Sequence, residues 1–214
     1  MLSKYMLRAA AILGGFAVLC AGLVGITHES THDRIAANEK AALLHSLHEL
    51  IPAASHNNDI YNDSIAAQSK ESLGSKNPVM VYRARQGDEP VAAVIAAEAP
   101  DGYSGTIKLL VAINYNGELA GVRVVAHKET PGLGDYIEAE RSNWIKQFDG
   151  KSLTHPADKL WQVDKDGGVF DSNTGATITP RAVVKAVHRA LKYYNSHRDL
   201  LFAAAPPKEI KHHE

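Results

Sequence analysis

The longest unbroken apolar run lies near the N-terminus. Ala9 to Thr27 reads AAAILGGFAVLCAGLVGIT, with no charge and with Thr27 as its only polar residue. Coiled as a helix, it extends roughly 28 Å, close to the thickness of a hydrocarbon core. Three readings compete. A cleaved signal peptide calls for a shorter apolar stretch followed by a small-x-small site, and no convincing site follows. A lipoprotein calls for a small residue before Cys20, where Leu19 stands. An uncleaved single anchor over 9–27 fits best. The flanking cations tie, with Lys4 and Arg8 on one side and Arg34 and Lys40 on the other. The very short leading tail breaks the tie, because long domains translocate largely regardless of charge. Residues 1–8 are therefore expected in the cytoplasm and the bulk of the chain outside. No charged residue interrupts the anchor, so alone it is a poor candidate for an ion path.

Helical periodicity resumes in THDRIAANEKAALLHSLHELIP. Ile35, Leu43, Leu44, Leu47, Leu50 and Ile51 recur at helical spacing, and Pro52 supplies a stop. This amphipathic helix either continues the anchor or folds back on the following domain. The next segment, ASHNNDIYNDSIAAQSKESLGSKNP, is polar and reads as connecting structure or short helices, so 28–77 form a helical and connecting region.

Beyond Pro78 the period shortens to two. VMVYRA and VAAVIAAEA are expected strands, with RQGDEP as the turn between them. In GTIKLLVAINYNGELAGVRVVAH, Ile107, Leu109, Val111 and Ile113 alternate, Asn116-Gly117 makes a hairpin turn, and Val122 and Val124 resume the alternation. GDYIEAERSNWIKQFDG returns to a helical period, with Ile137, Trp144, Ile145 and Phe148 on one side. LWQVD reads as a short strand and KDGG as a turn. A final helix is expected with Thr179 as N-cap, Pro180 at the first helical position, and a buried stripe of Val183, Val187, Ala190, Leu191 and Tyr194. The sum is an α+β domain over 78–200 with a largely antiparallel sheet packed by helices, followed by a loose tail over 201–214.

Composition narrows the function classes. The 214 residues allow one ordinary domain plus an appendage, and 23 Lys+Arg against 24 Asp+Glu give no basic face for nucleic acid. The single cysteine, Cys20, excludes an intrachain disulfide framework and a cysteine-ligated zinc or iron–sulfur site. Electrons, if carried, need another cofactor. The 11 histidines are scattered, and no metal site is read from them.

Two glycine-bearing segments remain. HKETPGLGD, His127 to Asp135, is a good turn at Pro131-Gly132 with Asp135 available to cap a helix. It also suits close approach to a ligand, with Gly132 and Gly134 giving access and Glu129, Thr130 and Leu133 as contacts. DSNTGATITPR, Asp171 to Arg181, reads as a turn entering a capped helix. A nucleotide-hydrolysing phosphate loop fits poorly, since no lysine follows Gly175 in the required place. The Thr177 hydroxyl stands just before a helix N-terminus, where free N–H groups and the dipole favour a phosphate.

DSNTGATITP resembles the D-x-x-[ST]-G-A-[ST] motif at which a flavin transferase attaches FMN through a phosphoester. The motif falls on Asp171, Thr174, Gly175, Ala176 and Thr177, with Thr177 the acceptor. GYSGTIKLLVAINYNGELAGVRVVAHKETPGLGD is similar to the rest of the FMN-binding domain in the RnfG (or RsxG) family, which serves the Rnf (or Rsx) ion-translocating oxidoreductases. More distantly, it resembles the related FMN-binding component of the sodium-pumping NADH:quinone reductase. The resemblance extends through the anchor and the last helix and ends at the C-terminal tail. It implies covalent FMN on Thr177, a bacterial inner-membrane location with a periplasmic domain, and partnership with the other subunits of the complex. It also implies a flavin transferase, using FAD and Mg²⁺, during maturation. The chain would then be a translocase subunit that carries electrons without independent catalysis. Ferredoxin or NAD chemistry would lie on partner subunits, since no dinucleotide motif or ferredoxin-type cysteine set occurs here. Tyr103 and Trp144 are further candidates to neighbour the ring, each otherwise a core residue. Rival readings are a stand-alone membrane-anchored flavin reductase and a structural tether.

Overall fold

A computed structural model describes residues 2–203. The chain divides into a first unit ending at His45 and a second beginning at Ser46. Helix α1, Leu2–Leu50, runs without a break, so the expected amphipathic segment continues the anchor helix. Hydroxyls ease the change from apolar to polar sequence. Thr27 Oγ1 donates to the Leu23 carbonyl at 2.8 Å, and Thr31 Oγ1 donates to that of Thr27 at 2.7 Å. Within the first unit, α1 is long and apolar enough to cross a membrane, and none of its most apolar stretch is buried.

The second unit is built on a five-stranded antiparallel sheet in sequential order: β1 Ser64–Ala67, β2 Val79–Gln86, β3 Glu89–Ala99, β4 Ile107–Asn114 and β5 Leu119–Ala126. Each expected strand beyond Pro78 is present up to β5, and β1 is an addition from the polar segment. Gly87 and Asp88 alone make the β2–β3 turn, since pairing continues out to Gln86 and Glu89. In the β4–β5 hairpin, Gly117 takes a φ of +92°, a region that glycine enters without steric cost. Asn116 Oδ1 accepts the Glu118 N–H at 3.0 Å and fixes the turn that Asn-Gly predicts.

Ile107, Leu109, Val111 and Ile113 are all buried and join the core formed with helix α3, Ile178–Phe202. The expected stripe on that helix, Val183, Val187, Ala190, Leu191 and Tyr194, is wholly buried. Each valine or leucine of the stripe contributes about 1.5–3 kcal/mol on leaving water. The opposite sheet face is covered as well. Leu47, Leu50 and Ile51 are buried, and a Cβ on Gly121 would lie 2.9 Å from Leu50 Cδ2.

Two expected elements take other forms. GDYIEAERSNWIKQFDG holds two short 3-10 helices, Asp135–Ile137 and Trp144–Phe148. Glu138 turns extended after the first, and Ser142 Oγ then ties to the Tyr136 carbonyl at 2.6 Å and to the Trp144 N–H at 3.0 Å. A side-chain hydroxyl thus competes with helix continuation. Ile137, Trp144, Ile145 and Phe148 still face inward, so the burial reading survives the change of backbone. LWQVD is no strand. Val163 makes a single bridge to Phe170, because the chain reverses at once through the 3-10 turn Asp164–Asp166. A Cβ on Gly168 would lie 1.8 Å from the Gln162 carbonyl oxygen, which explains the second glycine of KDGG.

The C-terminal end of α3 is held by arginines. Arg83 Nη1 donates to the carbonyls of Leu201 and Ala203 at 3.2 and 3.0 Å, while Arg85 Nη2 donates to that of Phe202 at 2.8 Å. Both guanidinium groups also pair with Asp63. Residues 201–203 of the expected loose tail are therefore tied down, and Leu201 is buried. The rest of the tail lies outside the described residues.

Arg83→Ala removes both the helix cap and a buried partner of Asp63, and it should cost about 3 kcal/mol in urea unfolding. A second test concerns pH. His188 stacks on Trp161 with centroids 4.8 Å apart and an interplanar angle of 4°. Burial pushes its pKa below the ordinary 6.5, with Lys192 adding to the shift and Asp158 opposing it. A folded value below the unfolded one means that protons favour the unfolded chain. This contribution is present above about pH 6.5 and is lost as pH falls through the folded pKa. The melting temperature should drop between about pH 7.5 and about pH 5, and the drop should shrink in His188→Gln.

Candidate functional site

Three loops meet at the N-terminal end of α3, and one carboxylate joins them. Glu129 is only 4% exposed. Its Oε1 accepts the Ser104 N–H at 2.9 Å, and its Oε2 accepts the Thr179 hydroxyl in a short contact. Its own N–H donates to His127 Nδ1 at 3.0 Å. That assignment leaves the proton of neutral His127 on Nε2, which lies 2.6 Å from Glu138 Oε1. The packing admits no larger residues beside it. A Cβ on Gly134 would lie 2.8 Å from Glu129 Cβ, and one on Gly102 would lie 2.2 Å from the Gly105 carbonyl oxygen.

The second loop turns at Thr130, whose carbonyl accepts the N–H groups of Leu133 and Gly134 at 3.1 and 2.9 Å. Gly132 takes a φ of +76°, and its N–H donates to Asp135 Oδ1 at 2.8 Å. Asp135 thus closes the turn by side-chain acceptance. Thr130 and Leu133 are left exposed at the lip.

The third loop is Asp171 to Thr177. Its start is pinned from below. The Trp144 indole N–H donates to the Asp171 carbonyl at 2.7 Å, and Gln147 Oε1 accepts the Asp171 N–H at 2.9 Å. Trp144 is buried edge-on to Tyr136 and Phe148, so it is a core residue that also fixes this loop. Burial pushes the Tyr136 phenol up to about 12. At Gly175 the chain turns with a φ of +92°.

The helix begins two residues before the expected start. Thr177 occupies the N-cap position and Ile178 is the first helical residue, so Thr179 is not the cap. Its hydroxyl is committed to Glu129, which outcompetes a capping bond. Pro180 still falls in the first turn, where a missing N–H costs nothing. Thr177 makes no side-chain capping bond. Instead its Oγ1 accepts from Lys165 Nζ at 3.2 Å. Lys165 rides on the Asp164–Asp166 turn, which is clamped to α3 by Arg181 donating to both oxygens of Asp166, at 2.5 and 2.6 Å. This pair holds the Asp166 carboxyl below and the Arg181 guanidinium above their usual values.

Tyr103, Glu129, Thr130, Leu133, Gly134 and residues 175–179 line one open cleft of about 190 Å³. The Thr177 hydroxyl lines it at the helix start, Lys165 meets that hydroxyl from beyond the lining, and the first turn of α3 contains no acidic residue. Its rim carries exposed apolar surface, with Tyr103 68%, Leu133 49% and Ile178 47% exposed. That combination fits an amphipathic ligand with an anionic end and a flat apolar body. Clefts that enclose such molecules typically span about 300–1,000 Å³, so a group of that size here would stay partly open to its surroundings.

Comparison with known proteins agrees with this chemistry. Residues 102–192 match the FMN-binding domain family, and residues 1–50 match the RnfG N-terminal region. The G-type subunit of the ion-translocating oxidoreductase complex from Pseudomonas aeruginosa is 48% identical over 211 residues, covering 99% of this chain and 97% of its own. Its counterpart from Shewanella oneidensis is 47% identical over 207 residues, covering 97% and 98%. The chain belongs to the RnfG family.

In this RnfG-family protein, the residues singled out from sequence fall into two groups. Glu129, Thr130, Leu133, Gly175, Ala176 and Thr177 share the cleft, as does Tyr103, while Asp171 and Thr174 stand exposed on the approach and do not line it. Ser104, Lys165, Ile178 and Thr179 join the site without a sequence signal for that role. Lys165 is 12 positions from Thr177, and no local pattern marks the contact.

Thr179→Val keeps the shape of the side chain but leaves one oxygen of a buried carboxylate without its donor. It should lower stability by about 2 kcal/mol in chemical unfolding, whereas Thr174→Val on the exposed approach should change it by less than about 0.5 kcal/mol.

Proposed function

We infer that this chain is the electron-carrying subunit of a membrane-bound, ion-translocating oxidoreductase complex. Its FMN is joined by a phosphoester to Thr177. The observation that carries this reading is the Thr177 hydroxyl, uncommitted to capping and met by a lysine, in the cleft where both glycine-bearing segments converge. Family membership supports the flavin, since the matched domain is FMN-binding.

When bound, FMN supplies transfer of one or two electrons. The protein residues have simpler duties. Thr177 tethers, so the cofactor's local concentration is fixed and dissociation ceases to limit turnover. The start of α3 and Lys165 offer positive charge to the phosphate. Tyr103, Leu133 and Ile178 give apolar surface to the ring, while Thr130 provides a polar contact at the lip. Glu129 holds the three loops in register. Asp171, Thr174, Gly175 and Ala176 make up the approach that a flavin transferase reads during maturation, with Gly175 supplying the turn.

In this reading residues 1–8 are cytoplasmic, 9–27 span the inner membrane, 28–77 connect, and 78–200 form the periplasmic FMN-binding domain ahead of the 201–214 tail. Translocation of a long domain largely regardless of charge supports that orientation. The other subunits of the complex are its partners, and reactions with ferredoxin or NAD take place on them.

The test is a denaturing gel of membranes from cells with an active flavin transferase. The wild-type band should fluoresce as flavin, and Thr177→Ala should abolish that fluorescence with the protein still present. A dark wild-type band would sink the covalent model.

A further inference from the structure

Lys165 reaches Thr177 from outside the attachment motif, and its surroundings leave it with no competing ion pair among the described residues. The turn that carries it is fixed on every side. The Asp164 N–H donates to the Phe170 carbonyl at 2.7 Å, and the Lys165 N–H donates to Asp164 Oδ1 at 2.8 Å. A hydrogen bond from Ser172, aided less strongly by the Lys165 backbone N–H and the Lys165 charge, holds the Asp164 carboxyl below its usual range. Asp166 is taken by both nitrogens of Arg181. Along α3, Lys185 pairs with Asp101 at 2.7 Å and Lys192 with Asp158 at 2.7 Å. Lys165 forms no such pair with any described residue, and its ammonium is directed to the Thr177 oxygen.

An ammonium has three donors and no acceptor. Donating to Thr177 Oγ1, it occupies one lone pair, sets the rotamer of the hydroxyl, and leaves the O–H free to point elsewhere. Once that oxygen is esterified, the same ammonium stands beside a phosphodiester with one negative charge, and no carboxylate in the first turn of α3 opposes it. Charge-assisted contacts of this kind are about twice as strong as neutral ones.

We propose that Lys165 is the charged half of the acceptor site, orienting Thr177 Oγ1 for attachment and neutralising the phosphate afterwards. This assignment rests on the flavin reading above and deepens it. In the attachment, the Thr177 oxygen bonds to the flavin-side phosphorus of an FAD donor. The phosphorus–oxygen bond to the adenylate breaks, AMP leaves, and the hydroxyl proton passes to solvent. No electrons are gained or lost. Lys165 stabilises charge on the phosphate in that exchange and takes no proton.

The experiment uses the full-length protein in membranes containing active flavin transferase. Covalent flavin per polypeptide is followed over time by the mass of the flavin peptide. Lys165→Ala and Lys165→Gln should load about tenfold more slowly than wild type, and Lys165→Arg should recover most of the rate. Melting temperatures of the unloaded variants should stay close to wild type, since the side chain is exposed. Loading of Ala and Gln at the wild-type rate overturns the assignment. So does an Arg variant as slow as Ala, which would mark a shape effect with no role for charge. A wild type that never loads counts against the flavin reading itself; a loaded wild type beside an equally loaded Ala variant counts against Lys165 alone.

Discussion

Glu129 holds the site together. A carboxylate removed from water is costly unless its oxygens are satisfied, and here they are satisfied by the Ser104 N–H on one loop and the Thr179 hydroxyl on α3. The group therefore converts its own desolvation cost into a positional demand on two other chain segments. Gly102 and Gly134 follow from that demand, because the backbone must come close enough to bury the acid. Thr177 inherits its place from Thr179, two residues along the same helix start.

The opposite end of α3 shows the same logic with the charges reversed. Helix carbonyls left without intrahelical donors accept from Arg83 and Arg85, and Asp63 balances the cations. One helix is thus bound to the loop system by an acid at its start and to β2 by bases at its finish. Between these ends the burial of its apolar stripe against the sheet fixes its rotation. The cleft owes its form to these three constraints together, and the motif residues supply only part of it.

What could be read from the chain follows the range of the forces involved. The β4–β5 hairpin was legible because alternation and Asn-Gly act over neighbouring residues. The α3 stripe was legible because its period is uniform over several turns. The Trp144 region misled because the burial of Ile137, Trp144, Ile145 and Phe148 satisfies two backbones, and Ser142 chooses the irregular one. The start of α3 was misplaced for a related reason: Thr179 has the right chemistry for a cap, but a partner 50 residues away takes its hydroxyl. Thr177 could be singled out from its motif. Lys165 could not, since its approach depends on a reversal at Asp164–Gly168 held by contacts with Phe170 and Arg181.

The hydrogen bonds around Glu129 close entirely on protein atoms. Nothing in that network waits for a ligand to complete it, so the cleft is shaped by folding alone. A ligand that enters it meets loops already in place, so the ordering cost that weakens binding at mobile sites is largely met during folding.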